Sequence, residues 1–362
     1  MIDDNLIAEH YPGHPRGYFD HAAVSTVPVA VERAVAEVAR ALTGGTRGSE
    51  LWHDLTDRAV EYLAVELGVE SSALSVLANT STAFNSIARA IPFESGDEVV
   101  VFGDDFPSPR MPWRTVPAAT VREITPQPGI DRTGALQSAI GKATRVISIT
   151  HVHATTGSVV DLERLHATCL DADVLLVVDA AQAAGLFPGA AAHADVYVGA
   201  SYKWLQAGFG AAVVATGDRF SDRAVPGLIG YMNEPPSPRL PVGHSNLFGL
   251  AALQAAASVR QQIGLDAIRN HTLRHARTIA DAAAALGLEP SVEAPESGIV
   301  ALRVADAPTL VDALTHRGIT TTTRDGALRL SPYLTTTDDE VDQLLAALEE
   351  LAPAHRTDGG HP

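Results

Sequence analysis

Two lysines, Lys142 and Lys203, stand among the 26 lysine and arginine residues of this 362-residue chain. A lysine retained among so many arginines points to chemistry that arginine cannot do. A desolvated ammonium gives up its proton and attacks a carbonyl, whereas a guanidinium stays protonated. Lys142, in Ala139-Ile-Gly-Lys-Ala-Thr144, falls between a predicted helix and a predicted strand and reads as a surface residue. It does not make a phosphate-binding P-loop, because Gly134 is too far from Gly141 and Ala143 stands where Ser or Thr is required. Lys203 lies in Ala200-Ser-Tyr-Lys-Trp-Leu-Gln-Ala-Gly-Phe-Gly210, just past a predicted strand end, with glycines behind it that permit close backbone approach. Standing alone, it would read as a solvent-facing turn lysine.

One strand earlier, Val174-Leu-Leu-Val-Val-Asp179 runs an apolar strand straight into a carboxylate. A lone Asp there serves equally as a metal ligand, a helix cap or a cofactor contact. Paired with a lysine at the same sheet edge, Asp179 suits pyridoxal 5′-phosphate. Lys203 forms the imine, and the carboxylate keeps the pyridine nitrogen protonated so that the ring can take up a carbanion's electrons. The phosphate needs an anion cradle, and Asn79-Thr-Ser-Thr-Ala-Phe-Asn85 offers hydroxyls and backbone N–H groups at a helix start. Taken alone, that segment is an ordinary helix cap.

The elements that position these residues alternate. Predicted strands at Val99–Phe102, Arg145–Val152, Val174–Asp179, Val196–Ala200 and Ala211–Thr216 are largely apolar, as strands buried on both faces are. A helical pattern at Asp161–Leu170 lies between them and one at Thr80–Ala90 precedes them, so an α/β fold with a mostly parallel central sheet covered by helices is expected. Long helices at about 246–262 and 266–286 lead into strands near Ile299–Val304 and Ala327–Pro332 and a closing helix at about 338–351. The expected division is a large domain over 15–262 and a smaller α+β domain over 263–352. Residues 1–14 pack with either, and 353–362 form a disordered tail.

The formal charge of −17, without a basic stripe, argues against nucleic acid as a partner. The acidic N-terminus is not expected to be a secretory signal, no apolar run reaches membrane-spanning length, and the single cysteine, Cys169, has no intramolecular partner for a disulfide. A cytoplasmic enzyme is expected.

In order and spacing, these segments resemble the class V aminotransferase family of fold-type I pyridoxal-phosphate enzymes, which includes cysteine desulfurases, kynureninases and isopenicillin-N epimerase-like proteins. The resemblance runs from Phe19-Asp-His-Ala-Ala23 to Leu328-Arg-Leu-Ser-Pro-Tyr333. It is sharpest at Thr150-His-Val-His-Ala-Thr-Thr-Gly157, Val178-Asp-Ala-Ala-Gln-Ala-Ala-Gly185 and Ser201-Tyr-Lys-Trp204. It implies a large and a small domain of that fold type, with Lys203 and Asp179 catalytic. Thr80 and Ser81 would bind the phosphate, Phe106 would stack on the pyridine ring, and Gln182 would hydrogen-bond its phenolic oxygen. Ser201 and Tyr202 would complete the cofactor contacts, Tyr202 falling where kynureninases have a phosphate-binding tyrosine and desulfurases a histidine. Arg329 would grip a substrate α-carboxylate, and His153 is a candidate substrate or acid–base contact. Val242-Gly-His-Ser-Asn246 matches a segment that reaches the partner subunit's phosphate in this family. That implies a homodimer with Gly243, His244 and Ser245 near the partner's cofactor, although His244 replaces the usual Thr.

The chain also departs from its relatives. Desulfurases carry a nucleophilic cysteine ahead of the arginine strand, where this chain has Gly318-Ile-Thr-Thr-Thr-Thr323. Cys169 falls on a helix elsewhere, which argues against persulfide formation. Phe106, Pro107 and the Ser-Tyr-Lys triplet are kynureninase-like, but Pro109 replaces that enzyme's Asp and Ala154 a polar or aromatic side chain. The expected activity is cleavage of an L-amino acid at its β or γ carbon, of the kynureninase or C–S lyase type, through an imine with the substrate amine. An aminotransferase or epimerase on the same scaffold, or a cofactor-binding protein without turnover, are the alternatives. His151 and His153 alternate on one predicted strand as two metal ligands do, but no third ligand is placed beside them and no metal is expected. Trp52 and Trp113 read as core, and Asp104 and Asp105 as an ordinary loop before Phe106.

Overall fold

The computed structural model describes residues 2, 4–126, 131–233 and 240–355. The chain folds into two compact units. One comprises Ala30–Val152 and Val160–Ser258; the other comprises Met1–Val29, His153–Val159 and Val259–Pro362.

The first unit is built on seven strands: β1 (Leu74–Leu77), β2 (Glu98–Phe102), β3 (Thr120–Ile124), β4 (Thr144–Thr150), β5 (Leu175–Asp179), β6 (Val196–Ala200) and β7 (Ala212–Thr216). Their order is β1-β7-β6-β5-β4-β2-β3, and only β7 runs antiparallel to its neighbours. Every residue of β5 and β6 is buried, which explains their unbroken apolar runs. The helix Thr80–Ala90 lays Phe84 and Ile87 against Val99, Val146, Val177 and Val198. From β2 the chain goes to β3 on one side and to β4 on the other, and the crevice at the carboxyl ends of strands flanking such a reversal is where open α/β sheets bind ligands. Neither β1 nor β3 is among the predicted strands. Both are sheet edges, and Thr-Val-Arg-Glu-Ile leaves polar side chains exposed where central strands are apolar.

The second unit carries an antiparallel sheet of β8 (Glu289–Pro290), β9 (Val300–Arg303), β10 (Thr322–Arg324) and β11 (Ala327–Leu330), ordered β10-β11-β9-β8. Leu302, Leu310, Leu328, Ile279 and Leu344 form its core together with Phe19.

The division into compact units differs from the expected domain boundaries. It falls at Ser258/Val259, inside the helix Leu247–Ile263, and residues 15–29 belong with the C-terminal unit. Phe19 is the reason: its side chain is fully buried there, its N–H donates to Thr320 O at 2.9 Å, and its carbonyl accepts from Ser331 N–H at 2.7 Å. Residues 153–159 join the same unit, with Gly157 O accepting from Ser297 Oγ at 2.8 Å. The closing helix runs Asp338–His355, past the expected end. Residues 353–355 are therefore helical, held by Ala305 N–H on His355 O, and the rest of the expected tail lies outside the described residues. No helix among the described residues is long and apolar enough to cross a membrane.

Gly185 shows how tightly the layers meet at the carboxyl edge of the large sheet. It has φ +99°, and a Cβ there would lie 2.6 Å from the Trp204 carbonyl oxygen. Gly185→Ala is expected to lose about 2–4 kcal/mol of stability, read from urea denaturation. An unchanged midpoint would show that the Trp204 turn is not fixed by this approach.

Candidate active site

The candidate catalytic and cofactor-binding residues of the large unit each follow or close the carboxyl end of a strand. Thr80 and Ser81 follow β1, Phe106 follows β2, Asp179 closes β5 with Gln182 just after it, and Ser201, Tyr202 and Lys203 follow β6. The parallel sheet brings them to one edge because β1, β2, β5 and β6 point the same way.

Asp179 is 3% exposed and accepts from the Ala181 N–H at 2.8 Å. Burial pushes its carboxyl up to about 6, against the pull of the Ala181 bond and the Lys203 charge, while the Asp105 carboxylate adds to the rise. A buried carboxylate so incompletely compensated suits a cationic N–H partner, which a pyridinium nitrogen supplies.

Lys203 sits on a turn whose shape is set by buried neighbours. Trp204 and Leu205 are fully buried, Gln206 N–H closes onto Lys203 O at 2.9 Å, and Ala207 N–H onto Ser201 O at 2.8 Å. The ammonium lies 5.7 Å from the Tyr202 ring centroid and 6.0 Å from that of Phe106. Tyr202 stacks on Phe209 at 4.5 Å. The Ser201 hydroxyl donates to Gly208 O at 2.6 Å, so it shapes the lysine turn and keeps only its acceptor lone pairs for a ligand. The Trp204 indole donates to Gln182 Oε1 at 2.8 Å. That bond fixes which way the Gln182 amide points.

The helix Thr80–Ala90 begins on Asn79, whose side chain accepts from Thr82 N–H at 2.8 Å. The first turn of a helix has backbone donors without intrahelical partners, and an anion satisfies them. Ser81 Oγ lies 3.4 Å from Ser108 Oγ, so the loops after β1 and β2 bring hydroxyls together at this helix start. Gly243, His244 and Ser245 lie in the same unit. Ser245 Oγ donates to Val76 O at 3.3 Å, His244 meets Tyr231 edge-on at 5.6 Å, and Asn246 Nδ2 donates to Gly210 O at 3.1 Å.

Asp105 is the residue that sequence reasoning missed. Read as part of an ordinary loop, it is in fact 2% exposed and takes Thr150 N–H at 2.8 Å, Thr150 Oγ1 at 2.6 Å and Arg132 Nη2 at 2.7 Å. Arg132 also bonds Asp104 at 2.8 Å and lies 3.9 Å over the Phe102 ring. Since Thr150 is the register partner of Asp179, Asp105 ties the loop bearing Phe106 to the strand beside the key carboxylate. An acidic pair before Phe-Pro carries no local signal of this, because Thr150 and Arg132 are 45 and 27 residues from Asp105.

The pairing of His151 and His153 on one strand is corrected. β4 ends at Thr150, and His151 packs on Phe187 at 4.5 Å and Tyr197 at 6.2 Å as a core histidine. In the second unit His153 Nδ1 meets Thr156 Oγ1 at 3.0 Å within its own turn. There too, Arg329 is 4% exposed on β11, donating to Ala154 O at 3.0 Å and to Asp20 Oδ1 at 3.4 Å. Trp113 is fully buried, as expected of a core residue, and the Trp52 side chain lies outside the described set.

A family profile described as Aminotransferase class-V matches residues 17–344. A probable cysteine desulfurase of Methanothermobacter thermautotrophicus is 26% identical over 71% of this chain and 70% of that protein. A kynureninase of Deinococcus radiodurans is 27% identical over 71% of this chain and 68% of its own. The solved apo structure of a cysteine desulfurase from Thermococcus onnurineus NA1 superposes with a TM-score of 0.86 at 21% identity, over 98% of this chain and 99% of that one. At that identity the likeness shows the fold.

The raised Asp179 carboxyl has a consequence for the cofactor-free protein. Its folded value of about 6 stands above the ordinary 3.8, so the stability tied to this group is fully present below pH 3.8 and lost as pH rises through about 6. Asp179→Asn keeps an acceptor for Ala181 and removes the charge. The variant is expected to match its parent near pH 4 and to exceed it by up to about 3 kcal/mol at pH 7, read from urea midpoints. A difference that does not change with pH would assign Asp179 a different electrostatic environment.

Proposed function

Because the chain belongs to the aminotransferase class-V family, whose enzymes use pyridoxal 5′-phosphate, we propose that it is a lyase that cleaves an L-amino acid at the β or γ carbon. Bound, the cofactor supplies an aldehyde that captures an amine and a ring that withdraws electrons from the substrate's α-carbon. Lys203 is the residue that holds this aldehyde and, once released by the substrate amine, moves the α-proton. Asp179, buried at the end of β5, holds the proton on the ring nitrogen. Gln182 donates to the phenolic oxygen, Phe106 covers the ring, and Thr80, Ser81 and Tyr202 hold the phosphate with the first N–H groups of the helix Thr80–Ala90. Arg329 takes the α-carboxylate, and His153 is a substrate contact.

The observation that carries the lyase reading is the phenyl ring of Phe106, 6.0 Å from the Lys203 ammonium. Kynureninases carry a phenylalanine at the matching position where desulfurases place a histidine, and the kynureninase relative adds weight to this choice. The sole cysteine speaks against a persulfide-forming desulfurase. Cys169 is fully buried in the helix Leu162–Asp171, and burial pushes its thiol up to about 12, far from the thiolate that sulfur transfer requires.

Borohydride reduction of the holoenzyme is expected to trap pyridoxyl on Lys203, and Lys203→Ala to fold yet lose at least about 10³-fold in turnover. L-Kynurenine should release L-alanine, or L-cystine should release pyruvate and ammonia. Amino transfer to a keto acid without bond cleavage would replace the lyase reading with an aminotransferase. Loss of α-stereochemistry alone would replace it with an epimerase.

The working form in this reading is a homodimer in which Gly243, His244 and Ser245 approach the partner subunit's cofactor. Support comes from the exposed apolar side chains of Phe209, Ile229, Tyr231 and Met232 on the same unit, with Ile229 at 69% and Tyr231 at 64%. Sedimentation at micromolar concentration should give twice the mass of one chain, and Ile229→Asp should shift it towards one. A parent protein that sediments as a single chain would remove the dimer.

A further inference from the structure

Arg329 is held in a half-satisfied state. It projects from β11, where its backbone pairs with Ala301 and Thr322 and its carbonyl accepts from Thr321 Oγ1 at 2.8 Å. Its side chain is 5% exposed, so packing and the 3.0 Å bond from Nη1 to Ala154 O already fix the guanidinium. On the opposite side, Nε–H and one Nη2–H point the same way and form the parallel fork that a carboxylate fills with two bonds. Asp20 Oδ1 reaches only Nη2 of that fork, at 3.4 Å, and Nε is buried without a partner. A buried donor left unmatched is costly, and a long single-point contact is weak compensation for it. Asp20 shows the same looseness from its own side: burial raises its carboxyl more than Arg329 lowers it. The segment bearing Asp20 does not rely on the ion pair for its place, since the flanking backbone bonds of Phe19 and Ser331 hold it.

We propose that Asp20 sets the affinity of the α-carboxylate subsite, as a resident carboxylate that occupies half of the Arg329 fork and is exchanged for the substrate's α-carboxylate, which takes both Nε and Nη2. The inference rests on Arg329 being the carboxylate-binding residue and adds what that residue does before substrate arrives. The exchange keeps the guanidinium from standing as a bare buried charge, and it weakens the binding of every α-carboxylate by the cost of displacing Asp20. No covalent step is involved; one ion pair replaces another.

The test is a titration of the holoenzyme, followed by the visible absorbance of the bound cofactor, with L-alanine and with ethylamine, which lacks the carboxylate. Asp20→Asn keeps shape and hydrogen bonding but removes the competing charge. It is expected to tighten L-alanine binding about three- to ten-fold and to leave ethylamine binding unchanged. Asp20→Ala should move the same way, which guards against an effect peculiar to the amide. A variant that binds L-alanine no more tightly than its parent, or that changes for both probes alike, overturns the exchange. Arg329→Gln separates the two failures. If it weakens L-alanine binding while Asp20→Asn does nothing, only the exchange is wrong. If it leaves L-alanine binding at the parent's level, the carboxylate-binding role of Arg329 falls, and the exchange falls with it.

Discussion

A carboxylate buried at the end of an all-buried strand is the constraint on which the large unit's edge depends. β5 is apolar through Val178, and Asp179 follows it without leaving the interior. One backbone N–H and a neighbouring lysine do not fully offset the loss of water, so the carboxyl titrates far above its ordinary range. A site of this kind is poised for a cationic partner. In the proposed reading the pyridinium of the family's cofactor is that partner, and its binding would turn an electrostatic cost of the apo fold into affinity.

The surrounding loops act as rigid supports for that exchange. Trp204 orients the Gln182 amide and anchors the lysine turn by its own burial. Gly185 lets the Trp204 backbone approach closely enough for both to hold. On the other side, Asp105 with Arg132 and Thr150 fastens the loop that carries Phe106. Asp105 is itself an anion close enough to raise the Asp179 carboxyl, so the group that fastens the Phe106 loop also tunes the carboxylate. Packing and electrostatics are therefore coupled through a residue that needs no contact with the substrate.

The second unit shows a related use of buried charge. Arg329 is fixed by a carbonyl and by packing, yet keeps one face incompletely matched. Both units thus hold a buried ionic group that the fold compensates only in part, one an anion and one a cation. Such groups bind small charged ligands strongly because desolvation has already been imposed by the fold.

By itself the sequence determined the α/β class, the five inner strands to within two residues, the helix Thr80–Ala90, and the pairing of Lys203 with Asp179 at one sheet edge. These were legible because buried parallel strands are continuous apolar runs and because lysine is scarce here. Only the tertiary structure decided the edge strands β1 and β3, whose exposed polar positions blur the pattern, and the attachment of residues 15–29 to the C-terminal unit through Phe19. It also removed the apparent alternation of His151 and His153, since β4 ends before either. The roles of Asp105 and Asp20 lay outside any local reading. Their partners are 45 and 309 residues away, and only folding supplies the burial that turns an ordinary acidic side chain into part of a site.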